Sequence, residues 1–351
     1  MVDVTTPPAR TAPPVALVVN GRYQFGTYDG PIPTINPLDA ATTWPAVSRP
    51  IRNLGLKEWE AFQLGDDVWF VLGAVYDAKA LGLLQVIAVH KESGALTRYE
   101  TKVRSSHLSV ARGLQGTRSH GAHRGFSISI TNHLVDGTVA IDAVHPGRDA
   151  LAPLALHGTG QCGPDVAGHL VICHPFTDTR ALYSHKTMMP FAGTLAIGDT
   201  AVTLDADRSF LILDDHHGDY PRPMRYDWVT AARRRADGRV EGFNLTANQV
   251  RDPHIYNENA VWIGSQVHRL PAVTFDRPGG PWGPWRVRDA AGAVDVTFTP
   301  TVRSTLHLGP KRSLAEYYAP YGWFEGTIET AAGAVTVDGQ FGVGEQKRIR
   351  I

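Results

Sequence analysis

Cysteine is scarce in this chain. Cys162 and Cys173 are the only two in 351 residues, too few for a disulfide framework, and they are read as two reduced thiols. His157, His169 and His174 lie near them, but no C-x-x-C spacing accompanies them, so no metal centre is expected there. Charge is scarce too: charged residues make up 19%, and Lys+Arg balances Asp+Glu at 34 each. A net charge of zero gives no electrostatic footprint for nucleic acid or an anionic membrane surface. So low a charge fraction also disfavours long solvated helices. No apolar run approaches the ~18 residues of a membrane span. Met1 to Pro14 lacks the apolar stretch of a signal peptide, so the cytoplasm is the expected compartment. The P-loop, the dinucleotide-binding glycine pattern, the G-x-S-x-G elbow and H-E-x-x-H are all missing. Their absence argues against nucleotide, dinucleotide and serine-hydrolase chemistry.

What the chain does have is an apolar fraction of 43%, 35 glycines and 24 prolines. Its dominant pattern has period two. Phe126, Ile128 and Ile130 alternate with polar residues, Asp136-Gly137 follows, and Val139, Ile141 and Ala143 alternate again. This predicts a hairpin. Similar hairpins are expected over Leu83 to Lys102 near Gly94, Tyr226 to Phe243 at Asp237-Gly238, and Thr327 to Gln340 near Gly333, and another strand over Val294 to Phe298 after Gly292. Short strands with close turn signals predict an all-β sandwich or barrel protein. The best helical candidate is short, Ser313 to Tyr318. An echo between Phe25–Gly30 and Tyr321–Gly326, each aromatic, Gly, any, aromatic, acid, Gly, suggests a two-part build. The expected division is a flexible arm over 1–14, a first unit over 15–180 and a second over 181–351, joined around Thr177 to Tyr183.

The densest polar stretch is Ser209 to Trp228. An apolar strand, Phe210-Leu211-Ile212-Leu213, runs straight into Asp214-Asp215-His216-His217-Gly218-Asp219-Tyr220-Pro221. Two carboxylates and two imidazoles at the end of a buried strand are costly unless they pair or do chemistry. On a strand, Asp214 and His216 face one way and Asp215 and His217 the other. One pair can then point into a cavity as a proton-transfer couple. An Asp-rich turn with a Gly-Asp-x-Pro stop would explain the same residues structurally. A metal site from Asp214, His216, His217 and Asp219 lacks a recognised ligand spacing. Further polar candidates are Asn244 and the Asn257-Glu258-Asn259 segment, His185-Lys186, and the C-terminal Glu345-Gln346-Lys347-Arg348, which reads as a solvated tail.

Taken in order, these segments resemble a bacterial family of unknown function. They are Ser184-His185-Lys186 with Pro190 and Gly193, Leu213-Asp214 with Gly218 and Pro221, Asp227-Trp228, Gly242-Phe243-Asn244-Leu245, Asn257-Glu258, Leu270 to Phe275, Pro284-Trp285, Phe298-Thr299-Pro300 and Tyr321 to Gly326. The family is similar in turn to the carotenoid hydratase group of tandem lipocalin-like proteins. The resemblance implies two lipocalin-like antiparallel β-barrels packed in tandem, calycin-like, around a cavity for a small lipophilic molecule. It implies a cofactor-independent hydratase, a hydro-lyase, with Asp214 as the carried-over acid and Tyr220 and Trp228 nearby. An isomerase or cyclase in the same cavity, and a non-catalytic binding protein, are the alternatives. The expected catalytic residues are Asp214, Asp215, His216, His217 and Tyr220, with the apolar cavity raising the pKa of the acid. His185, Trp228, Asn244, Asn257 and Glu258 are expected to bind substrate. No nucleic-acid partner is expected, and a homodimer is compatible with the sequence.

Overall fold

The period-two segments fold as antiparallel hairpins. Phe126–His133 pairs with Thr138–His145, setting Ile128 opposite Ala143 and Ile130 opposite Ile141. The chain reverses through Leu134–Asp136 and Gly137, whose φ of 78° is one that glycine adopts without steric cost. Gly82–His90 pairs with Leu96–Val103, Met224–Arg234 with Val240–Ala247, and Tyr321–Thr330 with Gly333–Thr336, as the alternation predicts, and the Val294–Val302 strand pairs with Trp285–Asp289. The computed structural model describes residues 7–41, 47–79, 81–308 and 314–350.

Among the described residues the strands form a 14-stranded sheet, a 12-stranded sheet and a two-stranded ribbon. In the first sheet Leu96–Val103, Gly82–His90, Trp69–Asp77, Lys57–Gly65, Phe210–Gly218, Arg180–Ile197 and Leu154–Gln161 follow one another in space, and the path ends at Leu108–Ser109. The sheet curls until its ends meet. Gly82 and Gly121 leave the space that Leu108 and Leu84 fill, so a Cβ at either position would collide with a leucine. Phe62, Leu64, Ile128, Ile141 and Phe191 fill the interior. The second sheet sets Met224–Arg234 beside Gln340–Ile349 and closes over Phe243, Trp285, Phe298 and Phe324. A further core lies between the sheets, where Phe70, Phe210 and Ile212 of the first meet Trp228, Trp262, Tyr321 and Phe341 of the second. The Phe70 ring is 5.8 Å from those of both Tyr321 and Phe341. Each such buried side chain contributes about 1.5–3 kcal/mol. The molecule is thus two curled, near-barrel β-sheets in tandem. Among the described residues Arg49–Gly55 is the one α-helix, and none of their helices is long and apolar enough to cross a membrane.

Several features differ from the sequence reading. Arg180–Ile197 belongs to the first sheet, hydrogen-bonded along Phe210–Gly218, and the second sheet begins at Met224. The changeover therefore lies between Gly218 and Met224. The turn around Thr177 only reverses the chain from His169–Thr177 into its neighbour. The proline-containing link, Asp219 to Pro223, is itself part of the polar stretch, which hides it as a boundary. Ala315–Tyr318 is a strand paired with Gln340–Ile349, not a helix, and Ser313 lies outside the described residues. Within the segment read as an arm, Arg10 donates to the carbonyls of His169 in the first sheet and Val267 in the second, and Thr11 bridges Tyr28.

Candidate functional site

A cavity opens between the two curled sheets. Its walls are largely apolar and aromatic: Trp59, Leu72, Tyr76, Leu182, Tyr226 and Trp228 are among them. The Phe210–Gly218 strand crosses one side, and its alternation decides what the cavity meets. Phe210 and Ile212 pack between the sheets and Leu211 and Leu213 inside the first sheet. Asp214 and His216 continue the first row and line the cavity, whereas Asp215 and His217 continue the second.

On the cavity face, Lys186 Nζ donates to Asp214 Oδ1 at 2.5 Å, and His216 Nε2 lies 2.8 Å from the same oxygen. Lys186 comes from Arg180–Ile197, where it stands opposite Asp214 in register. Lys186 Nζ is also 3.1 Å from His216 Nε2 and 3.7 Å from Glu258 Oε2. Ser184 Oγ contacts His216 Nε2 at 2.9 Å, and Tyr220 Oη lies 3.4 Å from His216 Nδ1. The imidazole stacks on Trp59 with ring centroids 4.4 Å apart. Burial alone would raise the Asp214 carboxyl, but the Lys186 ammonium and His216 outweigh it and hold Asp214 well below the usual carboxylate range. The raised carboxyl expected of a general acid is therefore not at Asp214, which is an anion at neutral pH. Burial keeps the Tyr220 hydroxyl protonated, far above the ordinary tyrosine value.

Trp228 lines the cavity under Lys186 Nζ, 5.3 Å from its ring centroid, and its indole N–H donates to Asn244 Oδ1 at 2.6 Å. Asn244 Nδ2 donates to the Glu258 carbonyl at 2.7 Å, so Asn244 fixes the segment carrying Glu258. Asn257 does the same from below, its side chain bonded to the Pro253 carbonyl and the Asn259 N–H, and it does not line the cavity. His185 also lies outside the cavity wall. Its Nε2 is 3.0 Å from His169 Nδ1, and burial pushes its imidazole well below the ordinary value.

Asp215 and His217 form a separate cluster inside the first sheet. His217 Nδ1 contacts Glu58 Oε1 at 3.0 Å, and its Nε2 lies 3.1 Å from Asp215 Oδ1, close enough for an ion pair without hydrogen-bond alignment. Lys79 and Arg112 close the cluster by pairing with Glu58. With His217 on this face, Asp214, His216, His217 and Asp219 do not converge on one point. Of the ten residues singled out in the sequence, the cavity brings together Asp214, His216, Tyr220, Trp228 and Glu258.

Sequence reasoning missed the opposite end of the cavity. Gln340–Ile349 is a paired strand rather than a solvated tail, and its Glu345 and Lys347 line the cavity with Tyr226 and Tyr317. Both tyrosine hydroxyls donate to Glu345, and Lys347 Nζ donates to Tyr226 Oη at 2.5 Å. The signal was present in the apolar Phe341 and Val343 that precede these charges at period two.

No curated protein matches the chain by sequence. Among solved structures, that of CghA with Sch210972 is similar at a TM-score of 0.50 and 12% identity, over 84% of this chain and 88% of that one. A structure of kievitone hydratase from Nectria haematococca gives a TM-score of 0.44 and 13% identity, over 83% of this chain and 88% of that one. At such identity the likeness to CghA is one of fold. The family described as "Domain of unknown function (DUF2804)" matches residues 10–351, nearly the whole chain, and the protein belongs to that family.

Proposed function

We propose that the cavity between the sheets is the active site of a hydro-lyase, adding water to, or removing it from, a C=C bond of a small lipophilic substrate by proton transfer through His216. The observation that carries this reading is the Lys186–Asp214–His216 chain set into an otherwise apolar, aromatic wall. Ionised Asp214, 2.8 Å from Nε2, favours the proton on that nitrogen and leaves Nδ1 as the base. In the hydration direction Nδ1 takes a proton from water while the water oxygen bonds to one alkene carbon. The C=C electron pair passes to the other carbon, which takes the Tyr220 proton, and the imidazolium returns a proton to Tyr220. Glu258 Oε2, which has no hydrogen-bond partner among the described residues, is placed to orient the water. Asp214 thus acts as the anion that holds His216, not as the acid.

His216→Asn is expected to lower kcat by about 10²–10⁴-fold while changing ligand affinity by less than about tenfold. Lipophilic molecules retained by the purified protein, identified by native mass spectrometry and then incubated with it in heavy-oxygen water, supply the direct test. Label in the product supports the hydro-lyase. A product of unchanged mass without label would instead make the protein an isomerase or cyclase, and no product from any retained molecule would make it a carrier.

A further inference from the structure

Three lysines line the cavity; Lys102 is exposed, and the other two, Lys186 and Lys347, are not equivalent. Lys186 is surrounded by Asp214, His216 and Glu258 within 2.5–3.7 Å. Lys347 stands in an aromatic cage instead. Its Nζ lies 4.5 Å from the Tyr317 ring centroid, 4.8 Å from Tyr226, 5.7 Å from Trp59 and 6.0 Å from Tyr76. Its hydrogen bond among the described residues goes to Tyr226 Oη, and Glu345 Oε2 is 3.8 Å away, beyond hydrogen-bond reach. Glu345 is already occupied by the hydroxyls of Tyr226 and Tyr317. An ammonium has three N–H donors. Ring faces hold its charge but offer the two remaining N–H groups no oxygen or nitrogen. Burial drives the Lys347 pKa down, with Glu345 and Asp214 opposing it, as expected of an ammonium short of polar partners.

We infer that Lys347 is the specificity-determining residue of the cavity and receives an acceptor oxygen of the ligand, so that the molecules bound here are aryl or conjugated ketones and related carbonyl compounds rather than hydrocarbons. This rests on the reading of the cavity as the ligand site and narrows its substrate class. A carbonyl oxygen supplies an acceptor beyond Tyr226 Oη, the one Lys347 has among the described residues, while Trp59, Tyr76 and Tyr317 cover the flat remainder of the molecule. A hydrocarbon would leave those N–H groups buried without acceptors, which is how a polar site rejects an analogue lacking the matching group.

The test is a binding titration of the full chain with acetylnaphthalene and isopropenylnaphthalene, a matched pair in which a carbonyl oxygen replaces a methylene. Lys347→Met should weaken acetylnaphthalene by about tenfold or more, as expected for a hydrogen bond to a charged donor, and strengthen isopropenylnaphthalene, whose complex no longer strands buried N–H groups. Lys347→Arg, which keeps charged donors, should hold the ketone within about threefold. Retained binding of the hydrocarbon shows that the Met variant is folded; if that variant does not fold, Lys347→Gln is read the same way, with an intermediate loss for the ketone. The inference is overturned if both ligands weaken equally, if the ketone is unaffected, or if the wild type binds neither. The effect of Lys347→Met on the ketone should be the same in a His216→Asn background, whether or not that background turns over, so failure here is distinct from failure of the hydro-lyase reading.

Discussion

One strand, Phe210–Gly218, carries two Asp/His pairs on opposite faces, and the pairs live in different electrostatic worlds. Asp214 meets a lysine and is held as an anion beside a cavity. Asp215 stands opposite Glu60 in register, inside the first sheet. There burial and the facing Asp215 push Glu60 up to about 8. Burial would lower His217, but Asp215 and Glu58 outweigh it and push it up to about 9. Residue type and spacing are the same on both faces. What differs is whether the neighbouring strand supplies a cation directly opposite. The cavity face is read as the place of chemistry, and the inner face as a structural knot whose cost depends on pH.

That contrast is open to attack from its strongest side first. His217→Ala leaves Glu58 and Asp215 buried without the imidazole between them and is expected to cost about 3–5 kcal/mol in urea unfolding, with ligand affinity in the cavity unchanged. Loss of binding with stability intact would mean that the two faces are not separate. A smaller effect concerns pH. Glu60 and His217 both have folded pKa values above their ordinary ones, so their contribution is fully present at low pH. It is lost as pH rises, through about 8 for Glu60 and about 9 for His217. The contribution of these two groups to the unfolding free energy should therefore fall between about pH 5 and pH 9. Glu60→Gln, which stays neutral, should gain at least about 1 kcal/mol at the alkaline end and little at the acid end. A gain that is the same at both ends would remove Glu60 from the account. Asp214 behaves oppositely: its pKa is depressed, so its contribution is present above the ordinary carboxylate value and lost as pH falls through it. Smallest of all, Trp228→Phe should cost about 1 kcal/mol by thermal unfolding, because Asn244 loses the indole donor that it accepts.

Much of this architecture was legible in residue order. Ile128, Ile130, Val139 and Ile141 place their hairpin by alternation alone, and the parity of Asp214 to His217 predicts two opposed pairs. What alternation could not supply was the partner strands. Lys57–Gly65, which sets Trp59 opposite His216 and Glu60 opposite Asp215, lies far away in the chain. No local pattern announces that register. The same limit explains the carboxyl expected to be raised. Burial of Asp214 could be read from its apolar strand, but Lys186 arrives from across the sheet and reverses the sign. At the C-terminus, Glu345 and Lys347 read as solvated because charge usually is. Only the pairing of Gln340–Ile349 with Met224–Arg234 turns those charges toward Tyr226 and the cavity.

Trp59 links the two ends of the cavity. His216 stacks against its ring at 4.4 Å and Lys347 lies 5.7 Å from it. An indole's emission responds to a nearby change of charge, so this side chain is a built-in optical gauge. A ligand seated at the ammonium, as proposed, would register in this fluorophore, and subtracting the signal of Trp59→Phe isolates it from the other seven tryptophans of the eight in the chain.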